Sequence, residues 1–502
     1  MSPLPLLDPQ RVAALENDAH ARPTLYRTRT AMVAAAGYAT VAGLLLVGFT
    51  VLIMGALESR VVMAVSGLAF MLGGFYVVLG CLSQQTEPPS GRTITANEAP
   101  ELFRTLDKIR RKTGAPAPAA VIVDDAYRAA LVEQARFGPF GGYRHYIVIG
   151  LPLLLSLSSS ELAAMLTMEH GRFCARQGRF AIWVCRLRRL WNQLYSNLQQ
   201  ENGVLGEFVA RFYLWYIPHF QAYALTFARE QEARATERAA AVIGSHATAS
   251  ALTKLTLFGR FHDEHYWPAY WRQADHRADP PCGPYAGLAE GYRQGERIWR
   301  SSRWLKEALA RKPEYDDPDP GLSQRLAQLS QEARPTAWPR QSAGEKWLGV
   351  TLGKLVAEFD REWLALNRQH WQARFRTARQ EDSELATLRL ISPDTLENHQ
   401  LWRLAELTHA RHGSAEARPL VERVLTRQPE HLKARFLQGR LLLEAGEERG
   451  LDMLEEAMKQ DQQSVDEGMG YCERYLVKRG RRHDVDALWA RLGHYHGWVD
   501  AA

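Results

Sequence analysis

The 502-residue sequence is short of the residues that would place it in several common classes. Its five cysteines, Cys81, Cys174, Cys185, Cys282 and Cys472, lie far apart, are odd in number and form no C-x-x-C pair. That argues against a disulfide framework and a Cys-rich zinc module, and it fits a reducing compartment. No G-x-x-x-x-G-K-[ST] phosphate loop, no G-x-S-x-G elbow and no dinucleotide fingerprint following a strand occurs anywhere, which removes the usual signatures of nucleotide-dependent and serine-hydrolase chemistry. Charge of one sign is scarce: Lys+Arg at 62 against Asp+Glu at 56 leaves a net +6. So small an excess over this length is no nucleic-acid footprint, and no nucleic-acid partner is expected. With 46% hydrophobic and 24% charged residues, the composition is that of a folded chain, and its length predicts about three units.

What is present, first, is apolar length. Residues 31–57 and 61–82 carry no charge, and only Glu58, Ser59 and Arg60 separate them. Each run can cross about 30 Å of hydrocarbon, so the spacing predicts a transmembrane helical hairpin over 31–83 behind an N-terminal tail, 1–30. The first run is too long and too far from the N-terminus for a cleaved signal peptide. Arg22, Arg27 and Arg29 precede the hairpin, and Arg92, Arg104, Lys108, Arg110, Arg111 and Lys112 follow it. The positive-inside rule then puts both ends, and the bulk of the chain, in the cytoplasm, with the lipid bilayer as a partner.

After a linker at Glu87-Pro88-Pro89-Ser90-Gly91, Leu102, Leu106 and Ile109 space as one buried helix face. The runs 119–124 (AAVIVD) and 145–151 (HYIVIGL) read as strands of a small sheet, with the glycine-rich 137–142 as a loop between them. Ser158-Ser159-Ser160-Glu161 offers a cap to a helix continuing through Leu162, Met165, Leu166 and Phe173. Trp, Tyr, Arg and Leu at helical spacing fill 183–230, with Pro218 expected to break or kink that stretch. The Arg-rich edge Arg186-Leu187-Arg188-Arg189-Leu190 reads as a solvated face, and His262-Asp263-Glu264-His265 as a solvated loop. Leu348, Leu352, Leu355, Phe359, Trp363 and Leu366 step by three and four, predicting a long amphipathic helix within a connecting segment, 331–395.

The C-terminal 396–497 has internal order. Leu401, Leu404, Ala405, Ala417, Val421, Val424 and Pro429 fit a 34-residue helix–turn–helix period, loosely echoed by Gly439, Leu442, Gly446, Leu454, Ala457 and Asp461, with a degenerate third pair at 465–492. This looks like tetratricopeptide repeats, whose concave face takes a protein partner. The fold class expected overall is mainly α (α+β): a two-helix membrane anchor, a helical domain with a small edge sheet over 95–330, and helical-hairpin repeats.

The segments Glu98-Ala99-Pro100-Glu101-Leu102-Phe103, Ile149-Gly150-Leu151-Pro152-Leu153-Leu154-Leu155 and Glu161-Leu162-Ala163-Ala164-Met165-Leu166 resemble the HtpX-like membrane zinc metallopeptidases, relatives of the CAAX prenyl protease, over about residues 30 to 330. The resemblance implies a multi-pass protein of a bacterial-type inner membrane and an endopeptidase of membrane protein quality control. In that family the last segment runs into H-E-x-x-H, whose two His share one helix face and bind zinc, with the Glu as general base. Here the register reads Met168-Glu169-His170-Gly171-Arg172. Glu169 is then the general-base equivalent, while Met168 and Arg172 occupy both lost His positions. The stretch Arg229-Glu230-Gln231-Glu232-Ala233-Arg234 resembles the family's later glutamate motif and makes Glu230 the ligand equivalent. Pro318-Asp319-Pro320-Gly321-Leu322-Ser323-Gln324-Arg325 resembles its T-H-P-x-L-x-x-R element, giving Arg325 the place of a transition-state arginine and Asp319 that of a substrate-binding His.

These departures have a physical meaning. A guanidinium has no lone pair to give, and a thioether suits copper(I) better than hydrolytic zinc. Without a Lewis acid Glu169 has no help in polarising a peptide carbonyl, so zinc hydrolysis should be lost and no cofactor is expected. Arg172 is expected to reach Glu230 in a bidentate ion pair that takes over the cation's place. His170 and Cys174 are also an i, i+4 pair, but His170 is turned about 200° from Met168 around the helix and should point away from the cleft. The expectation is a pseudopeptidase that holds an extended polypeptide by strand addition along Ala129, Ala130 and Leu131. The alternative is an active zinc endopeptidase with an atypical metal site.

Overall fold

The computed structural model describes residues 9–83, 88–135, 142–172, 179–198, 204–311, 317–334 and 337–496. Glu87 of the expected linker, residues 137–141 of the expected loop, Phe173 and Cys174 lie outside them. The chain forms two compact units, one of residues 1–272 with 280–368, the other of 273–279 with 369–502.

The first unit opens with α1 (Pro9–Ala21), α2 (Pro23–Leu57) and α3 (Val61–Ser83). The N-terminal segment is thus not a free tail: Val12 is buried beside Ala222 and Leu225, and Pro23, at a first-turn position where its missing N–H costs nothing, starts α2 eight residues before the charge-free run. At 35 residues α2 is long and apolar enough to cross a membrane. Its neighbour α3 contains a shorter apolar stretch, Val61–Phe75. The two run against each other with glycine at the contact, since a Cβ on Gly55 would meet the Ala64 backbone and one on Gly67 would meet Leu52 N and Gly48 O. Their outer faces leave Leu46, Phe49, Met54, Val62, Leu68 and Phe75 exposed, a band far more apolar than water-facing helices present.

Next come β1 (Arg92–Ile94), α4 (Pro100–Thr113), β2 (Ala120–Asp124), β3 (Ala129–Ala135) and β4 (Tyr143–Gly150). The sheet order is β1-β2-β4-β3, with β2 and β4 parallel and both outer pairs antiparallel. Thus β3 is an edge strand, in register Ala129 opposite Ile149 and Leu131 opposite Ile147. One sheet face joins the main core through Val121, Val123, Ile147 and Ile149, and the other buries Ile122, Tyr146 and Val148. α5 (Leu151–Ser156) and α6 (Ser159–Arg172) follow, then α7 (Arg179–Leu198), α8 (Val204–Ile243) and α9 (Ser245–Phe261). Pro218 does not end α8, which runs through it for 40 residues.

α7 and the first half of α8 pack against the apolar hairpin in an aromatic cluster of Tyr26, Trp191, Tyr213, Tyr216 and Phe220. Tyr213 donates to Gly37 O at 3.0 Å and Tyr216 to Val33 O at 2.9 Å. The Arg-rich edge of α7 is only partly solvated: Arg189 is exposed, but it and Arg186 bond Glu133 on β3, and Arg188 donates to Gln221 at 2.8 Å. Burial pushes the Glu133 carboxyl up, but His145 and Arg186 outweigh it and hold it at about 2. A buried carboxylate had simply gathered those cations inward.

The unit closes with α10 (Trp267–Arg272), α11 (Leu288–Gln294), α12 (Glu296–Trp299), α13 (Ser302–Ala310), α14 (Leu322–Gln328), α15 (Ala343–Leu348) and the first half of α16 (Val350–Arg389). The expected long helix is therefore interrupted once, at Gly349, whose φ of +52° ends α15. In the second unit the rest of α16 is followed by three helix pairs: α17 (Asn398–His412) with α18 (Ser414–Arg427), α19 (Leu432–Ala445) with α20 (Arg449–Gln460), and α21 (Val465–Lys478) with α22 (Arg482–Tyr495). Leu401, Leu404, Val421 and Val424 line one part of their core and Leu454, Met458, Cys472 and Leu488 another.

The hairpin contact gives a prediction. Gly67→Val should lower the melting temperature of detergent-purified protein, since overpacking against backbone costs about 1–3 kcal/mol. Gly43→Val, where nothing lies within 4 Å of the added carbon, should leave it unchanged, and equal effects would mean the two helices do not pack there.

Candidate functional site

The residues singled out in the sequence sit on four elements that meet beside the edge of the sheet. α6 supplies Met168, Glu169 and Arg172, α8 the 230–232 stretch, β3 Leu131, α14 Arg325, and the segment before α14 Asp319. α6 begins at a cap in which Ser158 N donates to Glu161 Oε2 at 2.8 Å, and Glu161 is itself held by Lys254 at 2.9 Å. It can lie close on α8 because Gly171 has no side chain: an added Cβ would come within 3.3 Å of Ala235 Cα. α14 is tied to the same helix by Gln328 Nε2, which donates to Ala233 O at 2.9 Å.

At the centre lies Arg172. It donates from Nη1 to Glu169 Oε1 and from Nη2 to Glu232 Oε2 at 2.7 Å. Its Nε lies 2.5 Å from Glu232 Oε1, an ion-pair contact without hydrogen-bond alignment. Arg325 approaches the same carboxylate from the other side, with Nη2 3.2 Å from Glu232 Oε2 and 3.1 Å from Asp319 Oδ1. Three carboxylates and two guanidinium groups thus alternate in the order Glu169, Arg172, Glu232, Arg325, Asp319. Gln231 Nε2 donates to Arg172 O at 2.5 Å, fixing the C-terminal turn of α6.

The arginine is therefore paired, but with Glu232 and not with Glu230. Glu230 lies on the far side of α8, half exposed, in an ion pair with Arg234. Two residues along a helix are a rotation of about 200°, so only one of the two glutamates can face α6. The sequence carries only a partial signal, since Glu232, Ala235 and Ala239 fall at i, i+3 and i+7 on one face; the fold buries all three, but the spacing alone does not say that this face meets α6. Met168 is buried in the main core. His170 is fully buried, its Nδ1 2.7 Å from Leu166 O, and burial lowers its pKa.

Glu169 reaches the sheet as well, accepting from Leu131 N at 3.2 Å. Gly150 N donates to Arg128 O at 2.7 Å, so by the two-residue alternation of an antiparallel pair Ala130 bonds towards β4 while Ala129 and Leu131 turn their backbone groups to the outer edge. The edge-strand segment Ala129, Ala130 and Leu131 thus runs beside Glu169, and one of its outward N–H groups is taken by that carboxylate.

These groups do not fit a zinc ion. Such a site needs three lone-pair donors and an open position, whereas both oxygens of Glu232 face guanidinium groups, and Met168 and Arg172 bring a thioether and a permanent cation. Among the described residues no group of three or more His, Cys, Asp or Glu side chains is placed to hold a metal. Burial pushes the Glu169 carboxyl up, and Arg172 and the Leu131 N–H pull against it. The same pairing, opposed by burial, raises the pKa of Arg172, which stays a cation at every accessible pH.

The His262 segment departs from expectation. His262–Tyr266 is a turn of π-helix, and His262 is 3% exposed, with its ring 5.3 Å from that of Tyr127. Aromatic neighbours gathered the ring inward, and burial lowers its pKa to about 4. No family model, no curated protein and no solved structure matches this chain.

Replacing Arg172 by Met should leave Glu169 and Glu232 facing each other without their cation, at a cost of about 3–5 kcal/mol. The Glu169 carboxyl, already pushed up by burial, then loses the cation that pulls it down and rises further above its unfolded value. Stability is retained at low pH and lost as pH rises through the folded value of Glu169. The melting temperature of Arg172→Met should fall further below wild type at pH 8 than at pH 5.5, and a deficit independent of pH would exclude the coupling.

Proposed function

We propose that this protein is a membrane-anchored relative of the HtpX-like metallopeptidases that has exchanged its metal centre for an ion-pair network and acts by binding polypeptide, not by cutting it. The observation that carries this reading is the Arg172 guanidinium between Glu169 and Glu232, in the register where the resemblance expects a zinc ligand. A general base whose two oxygens accept from a permanent cation and a backbone N–H has no Lewis acid beside it to polarise a peptide carbonyl. The edge of β3 supports binding, because an extended chain can add to the outward backbone groups of Ala129 and to the Leu131 carbonyl, the Leu131 N–H being held by Glu169.

The anchor in this reading is the α2–α3 hairpin crossing a bacterial-type inner membrane twice, with the remaining domains at the cytoplasmic face. The length of α2, its apolar outer face and the glycine contact with α3 support it. The three C-terminal helix pairs start at Asn398, Leu432 and Val465, a spacing of about 34 residues that suits tetratricopeptide-like repeats and a protein partner.

Zinc content per chain, measured by inductively coupled plasma mass spectrometry on detergent-purified protein, tests the loss of the metal. Near zero is expected for the native chain and about one for Met168→His/Arg172→His, with Glu232 as the third donor; one tightly held zinc in the native chain overturns the reading. Fluorescein-labelled casein should bind without being cleaved. Ala129→Pro, which removes an outward N–H, should weaken that binding by about fivefold or more, and cleavage of casein by the native chain would restore the peptidase.

A further inference from the structure

A second cavity in the first unit is independent of this network. It has a volume of about 870 Å³ and lies between the start of β1, the end of β2, the π-helical turn, α10 and α16. Its walls are aromatic: Trp267 and Trp363 stack at 5.9 Å with their planes 24° apart, and Tyr127 and Tyr285 complete the lining. Among the described residues its charged groups are acidic but for one arginine. Of the five carboxylates in the lining, Asp124 is paired with Arg128 at 2.9 Å and Glu358 with Arg92 at 3.3 Å. Asp125, Asp263 and Glu362 have no ion pair among the described residues. Arg92 is the one cation in the lining, and it is committed to Glu98 as well as Glu358.

The histidine in this wall adds no positive charge. Trp267 Nε1 donates to His262 Nε2 at 3.0 Å, so the proton of the neutral ring is on Nδ1, which is buried without a partner. With its pKa lowered by burial to about 4, the ring is neutral near pH 7 and brings no charge to the wall. Three solvent-exposed carboxylates therefore stand at the rim of an aromatic cavity with no ion-pair partner among the described residues. The π-face of an indole attracts an organic cation, whereas a hydrated divalent ion gains little from it and would need converging oxygen ligands. No such converging group occurs among the described residues.

We infer that this aromatic, acid-lined cavity is a binding site for a chain-like organic cation, a protonated alkyl amine or guanidinium, which stacks on Trp267 and Trp363 and is neutralised by Asp263 and Glu362. The group comes either from a free polyamine or from a Lys or Arg side chain of a polypeptide. The same chemistry serves both.

Isothermal titration of the full-length protein in detergent micelles tests the site with three probes: agmatine, spermidine and the capped tripeptide acetyl-Gly-Arg-Gly-amide. At least one should bind saturably with a dissociation constant below about 1 mM. Stronger binding of agmatine or spermidine identifies a free amine, and stronger binding of the tripeptide a basic side chain. Asp263→Asn/Glu362→Gln changes two exposed positions and should weaken binding by about tenfold with the circular dichroism spectrum unchanged. Trp363→Leu should weaken it as well, though that ring is also packed in the core, so the acid pair carries the decision. No saturable binding of any probe, affinity unchanged in the double acid variant, or displacement by magnesium at equimolar concentration would overturn the site.

Discussion

The first unit depends on one guanidinium. Arg172 ends the described part of α6, and its donors are shared between Glu169 on its own helix and Glu232 on α8. Both carboxylates are nearly buried, and two such charges cannot face each other without a cation between them. The arginine lets α6 and α8 pack at the distance Gly171 permits. Arg325 then extends the alternation to Asp319 and brings α14 to the same place. Such a network stabilises less than the sum of its contacts, because the desolvation of each ion offsets much of the attraction. What it determines is which faces of three helices meet.

α8 joins this network to the apolar hairpin. Its first half lies in the aromatic cluster with α2 and α7, where Tyr213 and Tyr216 donate to carbonyls of α2. Glu232 lies sixteen residues after Tyr216, about 24 Å along a helix. That helix passes Pro218 without ending. A displacement of the hairpin therefore bears on the position of Glu232 through one continuous element. Glu133 makes a second tie, since this buried carboxylate on the edge strand draws Arg186 and Arg189 of α7 onto the sheet.

Much of this was legible in the sequence where one strong signal acted alone. The apolar runs, the strands at AAVIVD and HYIVIGL, the capped helix at Ser158 and the helical character of the C-terminal segment each follow from a local period or a breaker. Where charges met, local reading failed. Arg186 and Arg189 looked like a solvated edge, because nothing near them in sequence tells of Glu133. His262 sat in a run of charged letters, and its burial is decided by Tyr127, Tyr266 and Trp267 closing around it. Strand β1, three residues long, has no period of its own and exists because β2 offers it an edge.

The sequence by itself determined the chemistry that Met168 and Arg172 can offer, a soft thioether and a permanent cation, and no folding of the chain gives the guanidinium a lone pair to donate. It also determined the apolar hairpin, because length without charge is a property of the chain alone. Only the tertiary structure decided that Glu232, and not Glu230, receives the arginine. The two glutamates are equivalent as letters, but they lie on opposite sides of one helix, and the face that α8 presents is fixed by Ala235 packing on Gly171. Tertiary structure likewise placed the outward N–H of Leu131 against Glu169. Which side of a strand carries a bonded group depends on its partner's register, and register is a relation between segments that neither contains alone.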